Sequence, residues 1–389
     1  MSRNKSSFIT FILAFGIFGI VNTEMGFIGI LPQLAERFNI SLSQAGLLVS
    51  LFALAVAISG LFMPLFLSGI NSKTLMLVAM GLFTLSGFIS IYAPTFEVLL
   101  VARIIPAFLH PVFFSVAFVA AANSVSEEYV ARANSRILMG SSAGMVIGSP
   151  IAALLADVLS LQASLYFFAI VNVIAFISIM IFVPSMPVKE KLTYGSQLSV
   201  LRKPIVWNSI ITMILLNAGM YATFSFFAEF LDGITGMNGR QISVMLFIFG
   251  TMGLIGNIIS GFLLQKRAMQ TALVFPIIFG IVYLLVFVLG EYSIPMTLLI
   301  ALWGTLYTIG LNICQNSITT AAFEAPTFAN GLFVALGNMG IAFGTFVGGA
   351  VITDYGTKSI IWIGILFMFM SFVFIAVRAF RYNPKKVQA

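Results

Sequence analysis

The chain has 389 residues, 60% of them hydrophobic and 8% charged, with a net charge of +7 and a mean hydropathy of +1.10. Soluble domains carry roughly 25% charged residues, so this composition excludes an ordinary soluble fold and defines an integral membrane protein. The basic residues are scattered rather than gathered into a patch, which argues against a nucleic-acid partner. A single cysteine, Cys314, and a single histidine, His110, exclude an internal disulfide and any His/Cys metal site.

A helix needs about 20 mostly apolar residues to cross the ~30 Å hydrocarbon core. Twelve such spans are expected, at 8–30, 43–67, 74–93, 97–121, 134–157, 163–183, 205–228, 241–265, 270–290, 295–319, 328–353 and 358–379. The apolar stretch from Phe8 is of spanning length and reads as the first helix, not a cleavable leader. Twelve spans put both termini on one side. With the N-terminus inside, fifteen Lys and Arg residues fall in inner segments, against Arg37, Arg240 and Lys358 outside. That bias predicts cytoplasmic termini. Residues 184–204 (PSMPVKEKLTYGSQLSVLRKP) form the longest polar segment and read as a cytoplasmic linker between an N-terminal bundle, 1–183, and a C-terminal bundle, 205–389.

The halves echo each other. Gly140, Gly144 and Gly148 in the fifth span recur as Gly340, Gly344 and Gly348 in the eleventh, each shifted by 200, and Asp157 and Asp354 close these two spans. Gly60 followed by Lys73 similarly matches Gly253 followed by Lys266. A parallel repeat of six-helix halves predicts an all-α polytopic membrane protein of two pseudo-symmetric six-helix bundles. Secondary transporters of this build place the substrate near the midplane, between the halves.

Three residues break the apolar rule: Glu24 in the first span, and Arg103 and His110 in the fourth. A charge at the helix centre costs about 2.5–3.5 kcal/mol on insertion scales, so such groups normally face a bundle interior or a wet cavity. At 1.5 Å per residue, Glu24 lies about 7 Å and Arg103 about 9 Å to the outer side of the span centres, with His110 close to the midplane. Arg103 and His110 are seven apart and share one helix face, roughly 10 Å from each other. One reading is a proton-linked or substrate-binding set: burial disfavours an ionised carboxylate at Glu24 while a nearby guanidinium favours it, and an unperturbed imidazole, the group His110 carries, exchanges its proton near neutral pH. The other is a static Glu24–Arg103 pair joining the first and fourth helices, with His110 a satisfied packing residue.

Further polar groups at depth are Asn217 in the seventh span and Asn312, Gln315 and Asn316 in the tenth. Their amides suit neutral polyol or heterocyclic substrates, and equally suit joining helices together. Tyr221, Phe224, Phe227, Trp303 and Tyr307 are candidates for an aromatic cavity wall. In the fifth span, GSSAGMVIGSPIAALLAD combines small residues every fourth position with Pro150, which predicts close packing and a hinge. There is no phosphate-binding Gly-rich loop ending in Lys-Ser/Thr and no sizeable soluble domain, so neither ATP-driven transport nor an enzyme is supported, and no cofactor is expected.

Nearly the whole chain resembles the major facilitator superfamily, specifically its twelve-helix drug:proton antiporter branch. NTEMGFIGILPQLAERFNISLSQAGLLVSLFAL (22–54) is similar to the family's first two helices, and VARIIPAFLHPVFFSVAF (101–118) to its fourth. Arg103 matches an arginine implicated there in proton coupling. Gly140, Gly144, Gly148 and Pro150 match the antiporter motif of helix 5, while 224–236 and 329–356 resemble helices 7 and 11. The Arg-x6-His arrangement followed by PVFFSV is similar to sugar efflux transporters. The resemblance implies a monomeric, proton-coupled antiporter of the bacterial inner membrane, exporting a small sugar or drug-like solute by alternating access. A nutrient or nucleobase uniporter or proton symporter on the same fold is the alternative. The loop between helices 2 and 3 departs from the pattern: it reads LSGINSK (67–73), with Lys73 its only charge and no Asp.

Overall fold

The computed structural model describes residues 3–125, 130–186 and 195–382. Among them are α1 (Ser7–Phe38), α2 (Leu42–Phe66), α3 (Ser72–Tyr92), α4 (Phe96–Ala121), α5 (Val130–Val158) and α6 (Leu161–Phe182). The second half has α7 (Pro204–Gly233), α8 and α9 as the two arms of Gly239–Leu289, α10 (Ser293–Ala321), α11 (Pro326–Tyr355) and α12 (Ile360–Arg381). Eleven helices are therefore long and apolar enough to span a bilayer, not twelve separate ones. The difference lies at α8–α9. The 51-residue stretch leaves helical geometry only at Arg267 (φ −146, ψ 49), so a kink replaces the loop expected between residues 265 and 270. With that kink counted, the twelve spans and the two six-helix halves stand.

The first span outruns its expected end at residue 30. A helix over Arg3–Gly26 tightens to a 3-10 turn at Phe27–Ile30 and resumes over Leu31–Phe38. Pro32 explains the tightening: it lacks an N–H and its ring crowds the carbonyl of Ile28. The span stops at Asn39, in left-handed geometry (φ 51, ψ 50), whose N–H returns to the carbonyls of Ala35 and Glu36. A capping box opens α2. The Ser41 hydroxyl accepts from Gln44 N–H at 3.2 Å, and the Gln44 side chain accepts from Ser41 N–H at 3.0 Å. Ser41→Ala is expected to cost about 1 kcal/mol, read as a small fall in melting temperature with transport retained.

The predicted repeat is a repeat of contacts. In the first half Gly140 lies on Ala14, Gly144 on Phe18 and Val21, and Gly148 on Asn22, packing α5 onto α1. In the second half Gly340 lies on Ile214, Gly344 on Ala218 and Gly348 on Ala222, packing α11 onto α7. Both glycines and partners are offset by 200. At these crossings the backbones approach too closely for any side chain, since a Cβ at Gly140 or Gly344 would overlap the carbonyl oxygen of Ala14 or Ala218.

The other echo does not carry over. Gly60 faces Ala335 of α11, in the opposite half, whereas Gly253 faces Thr308 of α10, within its own half. The halves meet along two seams. In the α2–α11 seam Gly349 meets Ser43, Gly46 meets Phe226 and Thr345, and Gly60 meets Ala335 at the far end. In the α5–α8 seam Arg240 Nε lies 3.8 Å from Asp157 Oδ2, the Ser243 hydroxyl donates to the Pro150 carbonyl at 2.7 Å, and Gly250 lies on Val146. Much of the expected linker, 187–194, lies outside the described residues. Gly195–Arg202 forms a 3-10 helix that buries Val200 against the second half.

Candidate functional site

Three interrupted helices converge at the candidate site. The 3-10 turn of α1 begins three residues after Glu24. Span α4 comprises a helix Phe96–Ala107, a turn at Phe108–Leu109, and a helix beginning at His110. Pro106 and Pro111 lack the N–H groups that the carbonyls of Ala102 and Ala107 would otherwise accept, which is why α4 opens there. Span α7 breaks between Phe224 and Phe227, where the Ser225 hydroxyl pairs with that of Thr345 at 2.7 Å. Interruptions of α1 and α7, the equivalent helices of the two halves, mark the binding region in folds of this kind.

At this convergence His110 Nε2 lies 3.1 Å from Glu24 Oε2, with the side chains 9% and 14% exposed. His110 also stacks on Phe114 (4.8 Å between ring centres) and meets Phe52 edge-on (6.1 Å). Its Nδ1 is buried without a hydrogen-bond partner. A carboxylate and an imidazole at this distance share a proton.

Arg103 does not pair with the Glu24 carboxylate. The guanidinium, 3% exposed, donates to three backbone carbonyls: Leu48 (2.9 Å), Thr23 (3.2 Å) and Glu24 (3.1 Å). It lies 3.7 Å from the Phe27 ring centre and 4.8 Å from that of Phe52. One cation thus holds α1, α2 and α4 together beside the tightened turn of α1, where carbonyls are freed from regular helix bonding. The static Glu24–Arg103 ion pair is replaced by a Glu24–His110 pair and an arginine that satisfies backbone. Arg103→Lys keeps the charge but loses the planar fork. Hydrogen bonds to charged groups are worth about 1.5–3 kcal/mol each, so losing even one should lower the melting temperature by several degrees and reduce flux. Wild-type melting and flux in that variant would show that charge alone suffices.

The second half faces the pair with aromatic rings. Tyr221, Phe224, Trp303 and Tyr307 are buried in one cluster, joined by Phe227 and by Phe249 of α8. Phe224 stacks on Phe249 at 4.6 Å, Tyr307 lies 5.0 Å from Phe224, and Trp303 lies 5.4 Å from Phe227. Tyr221 and Tyr307 lie 5.7 Å apart between ring centres within this cluster. Tyr307 and Trp303 are fully buried, beside Tyr221 and Tyr283 respectively.

The remaining amides do not gather at this site. Asn217 donates to the Met213 carbonyl at 2.9 Å and contacts Cys314 at 3.5 Å, a packing arrangement beneath Gly340. Asn312 donates to Asn257 and Ser260, both at 2.7 Å, tying α10 to α8. Gln315 is exposed, and the carbonyl of Asn316 accepts from Thr320 at 2.6 Å. Span α5 runs unbroken through Pro150, so the glycines of the helix 5 motif act in close packing and no helix break marks the expected hinge. Phe52, Phe114 and Phe249 belong to the site and carried no signal in a chain with 40 phenylalanines.

Two six-helix halves with a buried titratable pair between interrupted helices define a polytopic α-helical membrane transporter. The chain matches the Major Facilitator Superfamily over residues 8–332 and belongs to that superfamily. It is 28% identical over 341 residues to the inner membrane transport protein YdhP of Escherichia coli, covering 88% of each chain. It is 28% identical over 369 residues to the MFS-type transporter YfhI of Bacillus subtilis, covering 93% of this chain and 91% of the relative. Among solved structures, a bacterial homologue of the human lysosomal transporter Spinster, inward-facing and unoccupied, superposes with a TM-score of 0.81 at 15% identity, covering 98% of both chains. The nucleoside transporter NupG superposes with a TM-score of 0.78 at 14% identity, covering 96% of this chain and 99% of that one. At such identities these likenesses concern the fold.

Proposed function

We propose that this transporter is a proton-coupled antiporter exporting a small organic solute, sugar-like or drug-like, by alternating access of its two halves. In this reading residues 1–183 and 205–389 are the moving bodies, 184–204 links them, and the protein works as a monomer. The fifteen-to-three bias of basic residues supports cytoplasmic termini in a bacterial inner membrane. The observation that carries the reading is the 3.1 Å Glu24–His110 contact at the junction of interrupted helices.

The chemistry follows from charge. When Glu24 is ionised it holds His110 and places a negative charge against the opposite half. A solute that binds there takes up the carboxylate and the imidazole in place of their mutual contact, and a proton arriving at Glu24 displaces it. A proton and a solute competing for one pair of groups gives antiport, because each release permits the other's entry. The helix 5 motif, Gly140 to Pro150, supports the export reading by resemblance.

Proteoliposomes preloaded with labelled arabinose or ethidium test this. An imposed inward proton gradient should accelerate release of at least one probe, and an ionophore that collapses the gradient should abolish the acceleration. Flux of a probe that is unchanged by the gradient would indicate a uniporter. Uptake against the expected direction, driven by the same gradient, would indicate symport.

A further inference from the structure

The two seams between the halves are not equally closed. On the α2–α11 side, contact extends to Gly60, where an added Cβ would lie 3.4 Å from Ala335. On the α5–α8 side, the helices touch from Asp157 and Arg240 down to Val146 and Gly250. The pseudo-symmetric counterpart of Gly60 is Gly253, whose neighbours among the described residues all belong to α10. Beyond it, only Gly256 and Ser260 are buried between Leu254 and Arg267, so this arm of α8 is free around most of its circumference. Met139, on the facing stretch of α5, is 60% exposed. The molecule is open along one side, at the end that carries the N-terminus.

An open pocket of about 480 Å³ lies over the crossing of α1 and α5 at that end. Its volume falls within the ~300–1,000 Å³ of small-ligand sites. The lining is apolar, from Phe11, Phe15, Phe18 and Met139, with one ionisable group, Arg136, and one nearby hydroxyl, Ser7. Ser7 immediately precedes the expected span 8–30 and Arg136 lies in the first turn of the expected span 134–157, the depth at which chain meets headgroups. The phenylalanines follow about 6, 12 and 17 Å deeper along α1. Arg136 Nη1 donates to Ser7 Oγ at 2.7 Å, and among the described residues no carboxylate forms an ion pair with it.

We propose that this cavity binds a single-chain anionic amphiphile, taken from the bilayer leaflet through the parted α5–α8 seam. The head sits on Arg136 and Ser7, and the tail lies along Phe11, Phe15 and Phe18. A guanidinium at headgroup depth that no carboxylate among the described residues pairs with selects for an anion, and an apolar slot running inward from it selects for a tail. A small hydrophilic anion would leave the phenylalanines wet, and a neutral hydrocarbon would leave Arg136 unpaired. The site is separate from the Glu24–His110 pair and stands whether or not the protein is a proton antiporter.

The test uses the full-length protein in nanodiscs of zwitterionic lipid. A fatty acid carrying a mid-chain diazirine is photolysed in place, and the adducts are mapped by mass spectrometry. Labelling of wild-type protein within Phe11–Phe18 or Met139–Ala143, suppressed by excess oleate and not by methyl oleate, is the expected result. Labels confined to the outer faces of α3, α6, α9 and α12 would overturn the proposal without any mutant. Direct titration with oleate should show a loss of at least tenfold in affinity for Arg136→Gln and for Ala143→Phe, which fills the slot, with Glu24→Gln binding as wild type. Equal binding to all variants would sink the proposal. Competition by inorganic phosphate would show that the anion alone is recognised. Displacement by phosphatidylglycerol nanodiscs would show that the occupant is a two-chain lipid. Either of those outcomes also overturns the single-chain assignment.

Discussion

Glu24→Gln is expected to reduce proton-driven transport to background while leaving the protein folded. Glutamine has the size and hydrogen-bonding reach of glutamic acid, so it can keep the 3.1 Å contact with His110 Nε2 in one of its two amide orientations. It cannot gain or lose a proton. The site would therefore stay assembled, with a stability within about 1 kcal/mol of wild type, the usual net worth of one hydrogen bond. What disappears is the change of charge at the junction of α1 and α4. In proteoliposomes the variant should retain solute–solute exchange with no gradient applied, because exchange needs the site but not its titration. Its flux should also lose the pH dependence of the wild type. Proton-driven flux at the wild-type rate in this variant would reduce Glu24 to a packing residue and remove the basis of the coupling mechanism. Loss of both exchange and gradient-driven flux would instead mean that the solute requires the negative charge of Glu24 and not only a hydrogen bond from that position.

The second large effect concerns packing. Gly140→Leu and Gly344→Leu should each prevent accumulation of folded protein, because the new side chain would have to displace backbone, the carbonyls of Ala14 and Ala218 respectively. Backbone cannot yield as a rotamer can, and the cost should exceed about 4 kcal/mol, the range reserved for severe steric or cavity lesions. Gly337 is the control. It lies on the same helix as Gly344, and an added Cβ there meets nothing within 4 Å. Gly337→Ala should be neutral or stabilising by up to about 1 kcal/mol, from helix propensity alone. Fluorescence-detected size exclusion and melting curves distinguish the three variants. A Gly140→Leu protein eluting and melting as wild type would show that α1 and α5 do not cross where the structure places them.

The glycine ladders show why part of the fold could be read in advance. Small residues at every fourth position lie on one helix face by geometry alone, so a close helix crossing was implied, and the shift of 200 implied that it occurs twice. The partners of the ladders were not implied. Nothing in Ala14 or Ala218 marks them as the surfaces on which Gly140 and Gly344 lie. The same limit applies to the charged set. Equal depth suggested pairing Glu24 with Arg103, since depth is counted from the sequence. Pairing also requires the rotation of each helix about its axis, and Pro32, Pro106 and Pro111 change that rotation locally. The turn at Phe108–Leu109 re-aims His110 toward Glu24, and the 3-10 turn of α1 leaves carbonyls for Arg103.

Asn217, Asn312 and Gln315 teach the complementary lesson. An amide at membrane depth must satisfy its hydrogen bonds, and composition cannot say whether the partner is a solute, its own helix or a neighbour. In this molecule Met213 and Cys314 serve Asn217, and Asn257 and Ser260 serve Asn312. The sequence by itself determined the membrane location, the spans, the repeat and the three buried polar residues, because hydropathy and spacing are local quantities summed along the chain. The tertiary structure alone decided that His110 rather than Arg103 meets Glu24, that α8 and α9 join through a kink, and that one seam is open while the other is closed. Those depend on helix rotation, on the local geometry at Arg267 and on contacts between residues far apart in the chain, such as Glu24 and His110, 86 positions apart.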